Sequence, residues 1–236
     1  MEGDNMKGIL SSPMFLNNLI ISREMAKEHK LESGFICWAN SLGYHFNKPV
    51  LGASDSMCRH FQGIKMYDEY TGFYEGPEAE IISLTHIHTG SEVFPSVFDL
   101  LLNFKILNEN YYMSQHLGKN SYINPVFCIG NAVNDQVLMF QINKRMRKHD
   151  PFDLLAKAVN RLYRIAYKKR QKIQWTSDSY EITVLWHAEH DKGGFSYPLF
   201  IVRSKKRIRM LLELLRIKFE ITTISDFQTK VDTFNW

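Results

Sequence analysis

Two histidines, His86 and His88, stand two residues apart in the segment THIHTGSEVFPSVFDLL, the stretch of this chain best equipped for chemistry. The residues EIISLTHIH predict a strand over 80–88. Side chains at i and i+2 of a strand leave the same face, so both imidazoles can reach one ion at about 2.0–2.1 Å. This spacing makes His86 and His88 candidate metal ligands, although two histidines on a strand are by themselves more often a satisfied polar edge.

Ser96 and Asp99 follow, at the start of a helix predicted over residues 94–107. Residues i and i+3 of a helix share a face, so both can point back at the ion. Two nitrogens and one carboxylate leave one position of a tetrahedral zinc open for water. Ser-x-x-Asp is also typical of a capping box at a helix start, and capping is compatible with a role at the ion.

The pattern H-x-H-x7-S-x-x-D resembles the signature of the JAMM (JAB/MPN+/Mov34) zinc metallopeptidases. The similarity covers residues 13–143. It implies an α+β, JAB/MPN-like (cytidine-deaminase-like) mixed sheet flanked by helices. It also implies one Zn²⁺ per chain, held by His86, His88 and Asp99.

The resemblance further implies a catalytic glutamate where the first helix meets the following strand. Glu32 occupies that junction in HKLESGFICWAN, and Glu28 is the alternative if the helix runs longer. Glu32 would take a proton from the attacking water and pass it to the leaving amine. Ser96 would donate a hydrogen bond to the oxyanion of the tetrahedral intermediate.

The substrate implied by the resemblance is the isopeptide or peptide bond at the C-terminal tail of ubiquitin or a ubiquitin-like protein. Prokaryotic relatives often accompany E1- and E2-like enzymes, including in antiviral defence, so such proteins are expected partners. Two positions depart from the family pattern: Thr89 follows the second histidine where proline is common, and Phe35 stands where a small residue is usual.

The order of elements predicts an α+β fold with mostly antiparallel pairing. Ser12-Pro13 starts a helix that runs to about His29, and GFICWANSL predicts a strand. Segments 125–130 and 136–142 flank a turn and predict a hairpin. Asp150-Pro151 opens a basic helix to about Lys172, followed by strands over 180–187 and 197–203 and a helix over 205–219.

Charge divides the chain into two regions. Residues 1–142 carry 9 Lys/Arg and 15 Asp/Glu, a formal charge of −6, whereas residues 143–236 carry 20 and 10, a charge of +10. We expect a metallopeptidase domain over 1–145 and a basic helix-strand-strand-helix extension over 146–236. The basic surface would suit nucleic acid or an acidic protein, or it is a set of solvated helix faces.

Composition argues against several other classes. No run approaches the ~18 apolar residues of a membrane helix, and the polar N-terminus is unlike a secretory signal. Three scattered cysteines indicate neither a disulfide framework nor a cysteine zinc site, so a cytoplasmic location is expected. His187 and His190 form a second cluster, but the Pro-Cys-x-x-Cys of a zinc deaminase is missing, which favours a solvated strand end.

Two alternatives remain open from the sequence. A non-catalytic MPN-like binding scaffold usually lacks one or more zinc ligands, and this chain retains them. A RadC-like protein associated with DNA shares the H-x-H…S-x-x-D core and would use the basic C-terminal region.

Overall fold

The computed structural model describes residues 2–52, 79–95, 97–149, 154, 157–158, 161, 182–186, 198–202 and 205–234. The helices are α1 (Glu2–Leu10), α2 (Pro13–His29), α3 (Val97–His116), α4 (Lys205–Leu214) and α5 (Phe227–Thr233), with a 3-10 helix at Lys144–Lys148. The strands are β1 (Ser33–Asn40), β2 (Gly43–Phe46), β3 (Val50–Leu51), β4 (Glu80–His88), β5 (Val126–Asn131), β6 (Gln136–Gln141), β7 (Ile182–Trp186), β8 (Pro198–Val202) and β9 (Lys218–Thr223).

Helix α2 begins and ends where its sequence dictates. The Ser12 side chain accepts a hydrogen bond from the Phe15 N–H at 3.2 Å, and Pro13 occupies the first turn. Lys30 then adopts a left-handed conformation (φ 56°), and its N–H donates to the Ala26 carbonyl. The helix predicted from Ser12-Pro13 to about His29 is confirmed, and it delivers the chain into β1 within three residues.

Seven strands form one mixed sheet, with the order β2-β1-β4-β5-β6-β9 and β3 also paired to β1. Strands β1 and β4 are antiparallel, with Gly34 opposite His86 and Ser33 opposite Ile87. Strands β4 and β5 are parallel, and α3 lies between them in the chain. Strands β5 and β6 form the predicted hairpin. The expectation of an α+β fold with a mixed sheet flanked by helices is therefore confirmed at this level.

The main core lies on one face of this sheet, against α1, α2 and α5. Alternate residues of the central strands, among them Phe35, Cys37, Ile87 and Cys128, pack with apolar residues of those helices. The Phe15 ring meets the Phe35 ring edge-on, with centroids 5.1 Å apart. Because side chains alternate along a strand, His86 and His88 leave the opposite face.

The chain divides into two compact units, one with residues 1–93, 106–141 and 219–236 and the other with residues 94–105 and 142–218. The division falls inside α3, which is a single continuous helix. The sequence places residues 219–236 in the C-terminal extension, but in the structure they belong to the first unit. Strand β9 hydrogen-bonds to β6, and α5 packs in the main core.

The described part of the second unit contains the strands that the sequence predicts at its centre. Strands β7 and β8 pair antiparallel, with Ile182 opposite Val202. Helix α4 is shorter than the predicted 205–219, because Arg216 turns left-handed (φ 52°) and the Ile217 N–H donates back to the Leu212 carbonyl. The following residues are therefore free to form β9. Most of the basic helix predicted over 150–172 lies outside the described residues.

Among the residues that the structure describes, no helix combines the length and apolarity needed to cross a membrane.

Phe227 should be essential to the core. Its ring stacks on Phe15 with centroids 5.5 Å apart, and it is fully buried. We expect Phe227→Ala to lower the free energy of unfolding by about 3–5 kcal/mol, measured by equilibrium urea denaturation, because it leaves a large cavity. Gln228→Ala is the control: it removes one part-buried hydrogen bond to the Ser11 carbonyl and should cost about 1 kcal/mol. A loss below 1 kcal/mol for Phe227→Ala would contradict this account of the core.

Candidate metal centre

His86 and His88 end strand β4, and their imidazoles converge. The two Nε2 atoms lie 3.0 Å apart, and the ring centroids are separated by 4.8 Å. Two nitrogens bound to one zinc at about 2.0–2.1 Å and a tetrahedral angle are about 3.3–3.4 Å apart. The pair is therefore close to the spacing of two ligands on one ion. Two lone pairs this close repel each other, so a proton or a cation must lie between them.

The orientation of the His88 ring is fixed from its other side. Its Nδ1 lies 3.0 Å from the Glu92 backbone carbonyl, which can only accept, so Nδ1 carries the proton. In that tautomer the Nε2 atom faces His86 with its lone pair. A histidine that donates its second N–H to a carbonyl is the usual arrangement at a metal site, because that bond sets the tautomer and the ring angle.

Asp99 joins the two histidines. One ligand atom from each of the three side chains lies within 4.8 Å of the other two. His86 is 4% exposed, whereas His88 and Asp99 are half-buried, so the group opens to solvent on one side. A rotation about one side-chain bond can shorten the longest distance between two of these ligand atoms to about 3.4 Å, the spacing of two ligands on one zinc. Two imidazoles and one carboxylate form a donor set that suits zinc and leaves a fourth position open.

Helix α3 is fastened to β4 at Asn110, eleven residues after Asp99. The Asn110 side chain accepts from the Ile81 N–H at 2.8 Å and donates to the carbonyls of Ile81 (2.7 Å) and Ile123 (2.9 Å). From Asn110 back to Asp99 the helix rises about 16 Å at 1.5 Å per residue. From Ile81 to His86 the strand covers about the same distance at 3.3 Å per residue. Eleven residues are also close to three full turns, so Asp99 and Asn110 share a face.

Strand β1 approaches His86 more closely than a side chain would allow. A Cβ on Gly34 would lie 2.2 Å from the Thr85 carbonyl oxygen and 3.2 Å from the His86 Cβ. Glycine at this position therefore permits the backbone contact that supports the first histidine. The sequence shows a glycine at this position, but it does not reveal the close backbone approach that requires one.

Glu32 precedes β1 directly and is half-buried. Its carbonyl accepts a hydrogen bond from the Gly52 N–H, which continues the pairing of β1 with β3 by one step. Opposed residues of an antiparallel pair leave the same face, and Gly34 opposes His86. Alternation then gives Glu32 the same face of the sheet as the two histidines, beside the end of their strand.

The other predicted residues fall elsewhere or outside the description. Glu28, the alternative base, has a side chain 78% exposed on α2 and lies 3.9 Å from the His29 ring. The Glu28 side chain therefore faces solvent on α2, whereas Glu32 directly precedes β1. Ser96 lies outside the described residues, as do His187 and His190, so their predicted roles stay predictions.

Cys37 and Cys128 flank β4 on the face opposite the histidines. Cys37 opposes Ser83, and Cys128 lies beside Thr85. Burial raises the pKa of each thiol from 9.0 to about 12, and for Cys128 hydrogen bonds from Ser83 and Thr85 oppose that rise only in part. Both are protonated thiols at neutral pH, which argues against a thiolate contribution from them to the metal centre.

Zinc content should depend on the histidine pair. We expect purified protein to hold one zinc per chain and His88→Ala to lose nearly all of it, measured by elemental analysis after dialysis, because two ligands alone hold zinc weakly. His45→Ala is a matched control: this ring stacks on Trp38 and bonds to Asn40, away from the cluster in the sheet order. Equal zinc in wild type and His88→Ala would refute the assignment.

Adding one methyl group at Gly34 should disturb the same centre through the backbone. We expect Gly34→Ala to lower the free energy of unfolding by about 1–3 kcal/mol and to weaken zinc binding, because β1 must withdraw from residues 85 and 86. Gly8→Ala on α1, where a Cβ meets nothing within 4 Å, should be neutral or slightly stabilising. Denaturation curves and zinc titrations check both, and an unaffected Gly34→Ala would contradict the close approach.

Comparison with known proteins adds no relative with this geometry. No family model matches the chain, and no curated protein or solved structure is significantly similar to it. The candidate centre therefore rests on the chain's own residues and their arrangement.

Proposed function

We propose that this chain is a zinc-dependent metallopeptidase of the JAMM type with a JAB/MPN-like fold. Its substrate is the isopeptide or peptide bond at the C-terminal tail of ubiquitin or a ubiquitin-like protein. One observation carries the proposal: His86, His88 and Asp99 converge at the end of β4. Side-chain alternation along the strand assigns Glu32 to the same sheet face.

The order of elements supports the same assignment. The helix α2 leads into β1 with the glutamate at their junction, β4 ends on the two histidines, and α3 brings in the aspartate. The β5–β6 hairpin then follows. These are the elements that the resemblance implies over residues 13–143.

The residues fit the tasks that peptide hydrolysis requires. A zinc ion bound there supplies Lewis acidity, which polarises the scissile carbonyl and makes a water acidic enough to act as the nucleophile near neutral pH. His86, His88 and Asp99 would hold the ion, and the Glu92 carbonyl orients the His88 ring. Glu32 accepts the proton of the attacking water and delivers it to the leaving amine.

Ser96 completes the proposed site as the donor to the oxyanion. In the sequence it stands three residues before Asp99 and directly before Val97, the first residue of α3. The positive end of a helix dipole favours developing negative charge. Such a donor typically contributes about 3–4 kcal/mol to the transition state.

The sheet offers a place for an extended tail. In the described part of the sheet, β2 is the terminal strand, and β2 and β3 pair with β1 on the same side. An extended peptide can add to such an edge through main-chain hydrogen bonds. Tyr44 on β2 and Leu42 in the preceding turn are exposed there and can contact side chains of the tail. E1- and E2-like proteins are the proposed source of the conjugates.

Cleavage of a ubiquitin-like protein fused through its C-terminal tail to a reporter tests this function. We expect the wild type to cleave the fusion and a chelator to abolish cleavage. Glu32→Gln should keep the zinc and lower kcat by about 10²–10⁴-fold, the usual contribution of a general base.

Glu28→Gln is the matched control, because it makes the same chemical change four residues away on an exposed helix face and should leave kcat unchanged. Cleavage that survives both the chelator and Glu32→Gln would refute the mechanism. Stoichiometric zinc without cleavage of any such fusion would favour the non-catalytic scaffold.

A further inference from the structure

Helix α3 carries a row of polar residues on one face, although that face is buried. Asp99, Asn103, Asn110 and Ser114 are spaced by four, seven and four residues, which keeps them within one stripe of a helix. Asn103 and Ser114 are 0% exposed, and Asn110 is 2% exposed. Asparagine is rarely buried completely unless its amide is used.

Two members of this row have evident partners. Asn110 bonds to the backbone of Ile81 and Ile123, as described above, and the Ser114 hydroxyl donates to the Tyr111 carbonyl at 2.8 Å. Asn103 differs from them. Among the residues that the structure describes, neither its Oδ1 nor its Nδ2 has a hydrogen-bond partner.

A buried amide without partners costs free energy, because it has lost its hydrogen bonds to water and gained none. Leucine, of similar size, would be favourable at the same place and is already the commonest residue of α3's first turns. Packing alone therefore does not explain why residue 103 is an asparagine rather than an apolar residue. Residue 103 is one helical turn from Asp99, and Asp and Asn four residues apart on a helix can hydrogen-bond.

We propose that Asn103 is a positioning residue of the metal centre. After a rotation of the Asn103 amide, or through one bridging water, its Nδ2–H donates to the Asp99 carboxylate and holds that carboxylate in the orientation a metal ligand needs. Carboxylates that bind metals are themselves hydrogen-bonded, and loss of such a partner typically weakens metal binding about 10–100-fold. This inference rests on the proposed function, because it requires the ion that His86, His88 and Asp99 hold.

Zinc affinity, measured by competition with a chromophoric chelator, tests the proposal without any substrate. We expect Asn103→Leu to raise the zinc Kd about 10–100-fold. Asn103→Ser, which keeps a donor and leaves room for a water, should recover part of that loss. Ser114→Ala, at the far end of the same row, should leave the Kd unchanged. If leucine prevents folding, Asn103→Val makes the comparison with a smaller side chain that also lacks a donor.

A double-mutant cycle separates positioning from a general structural effect. If Asn103 acts through Asp99, Asn103→Leu should change the Kd less than twofold in an Asp99→Ala background. An equal loss in both backgrounds would overturn the proposal, and so would a Kd for Asn103→Leu within twofold of wild type. Either result leaves the metal centre standing if the wild type binds zinc. A wild type that binds no zinc would overturn the metal centre and this inference together.

Discussion

The hydrogen bonds of Asn110 to the start of β4 join the helix that carries Asp99 to the strand that carries His86 and His88. One side chain saturates both backbone groups of Ile81 and reaches the Ile123 carbonyl as well. These bonds fix how far α3 can slide along β4. Asp99 lies about 16 Å back along the helix from Asn110, and His86 lies about 16 Å forward along the strand from Ile81.

The two faces of the sheet differ: one packs in the main core, and the other carries His86 and His88. One face packs Phe35, Cys37, Ile87 and Cys128 against helices from both ends of the chain, so the last residues help to hold the first. The other face carries the two histidines, and the alternation of side chains keeps the buried thiols away from them. A site built on a sheet with a full core behind it is held more rigidly than one built on loops. The absence of a side chain at Gly34 then lets β1 support that site at close range.

The sequence was most informative where local rules suffice. The apolar and β-branched residues of EIISLTHIH predict β4, and the geometry of a strand puts His86 and His88 on one face. Ser12-Pro13 predicts the start of α2. The α+β class follows from the order of such elements. Long-range features could not be inferred in this way. The pairing of β9 with β6, the contact of α5 with the main core, and the extension of α3 to His116 all depend on residues distant in the chain.

The same limit applies to the site. Spacing, together with the family resemblance, predicts the three candidate ligand side chains that the structure brings together. They lie in β4 and in the first turn of α3, which a short loop joins in the chain. Spacing does not identify the Glu92 carbonyl, Asn110 or Asn103, whose importance arises from what they face. In the sequence, Asn103 and Asn110 are marked only by the helical spacing that puts them on the same side of α3 as Asp99.

X-ray absorption at the zinc edge of zinc-loaded protein tests the central claim most directly, because it reports the ligand atoms themselves. The account predicts two imidazole nitrogens at about 2.0–2.1 Å, oxygen ligands at a similar distance and no sulfur. A sulfur shell at about 2.3 Å, or a spectrum without imidazole scattering, would contradict a centre built from His86, His88 and Asp99.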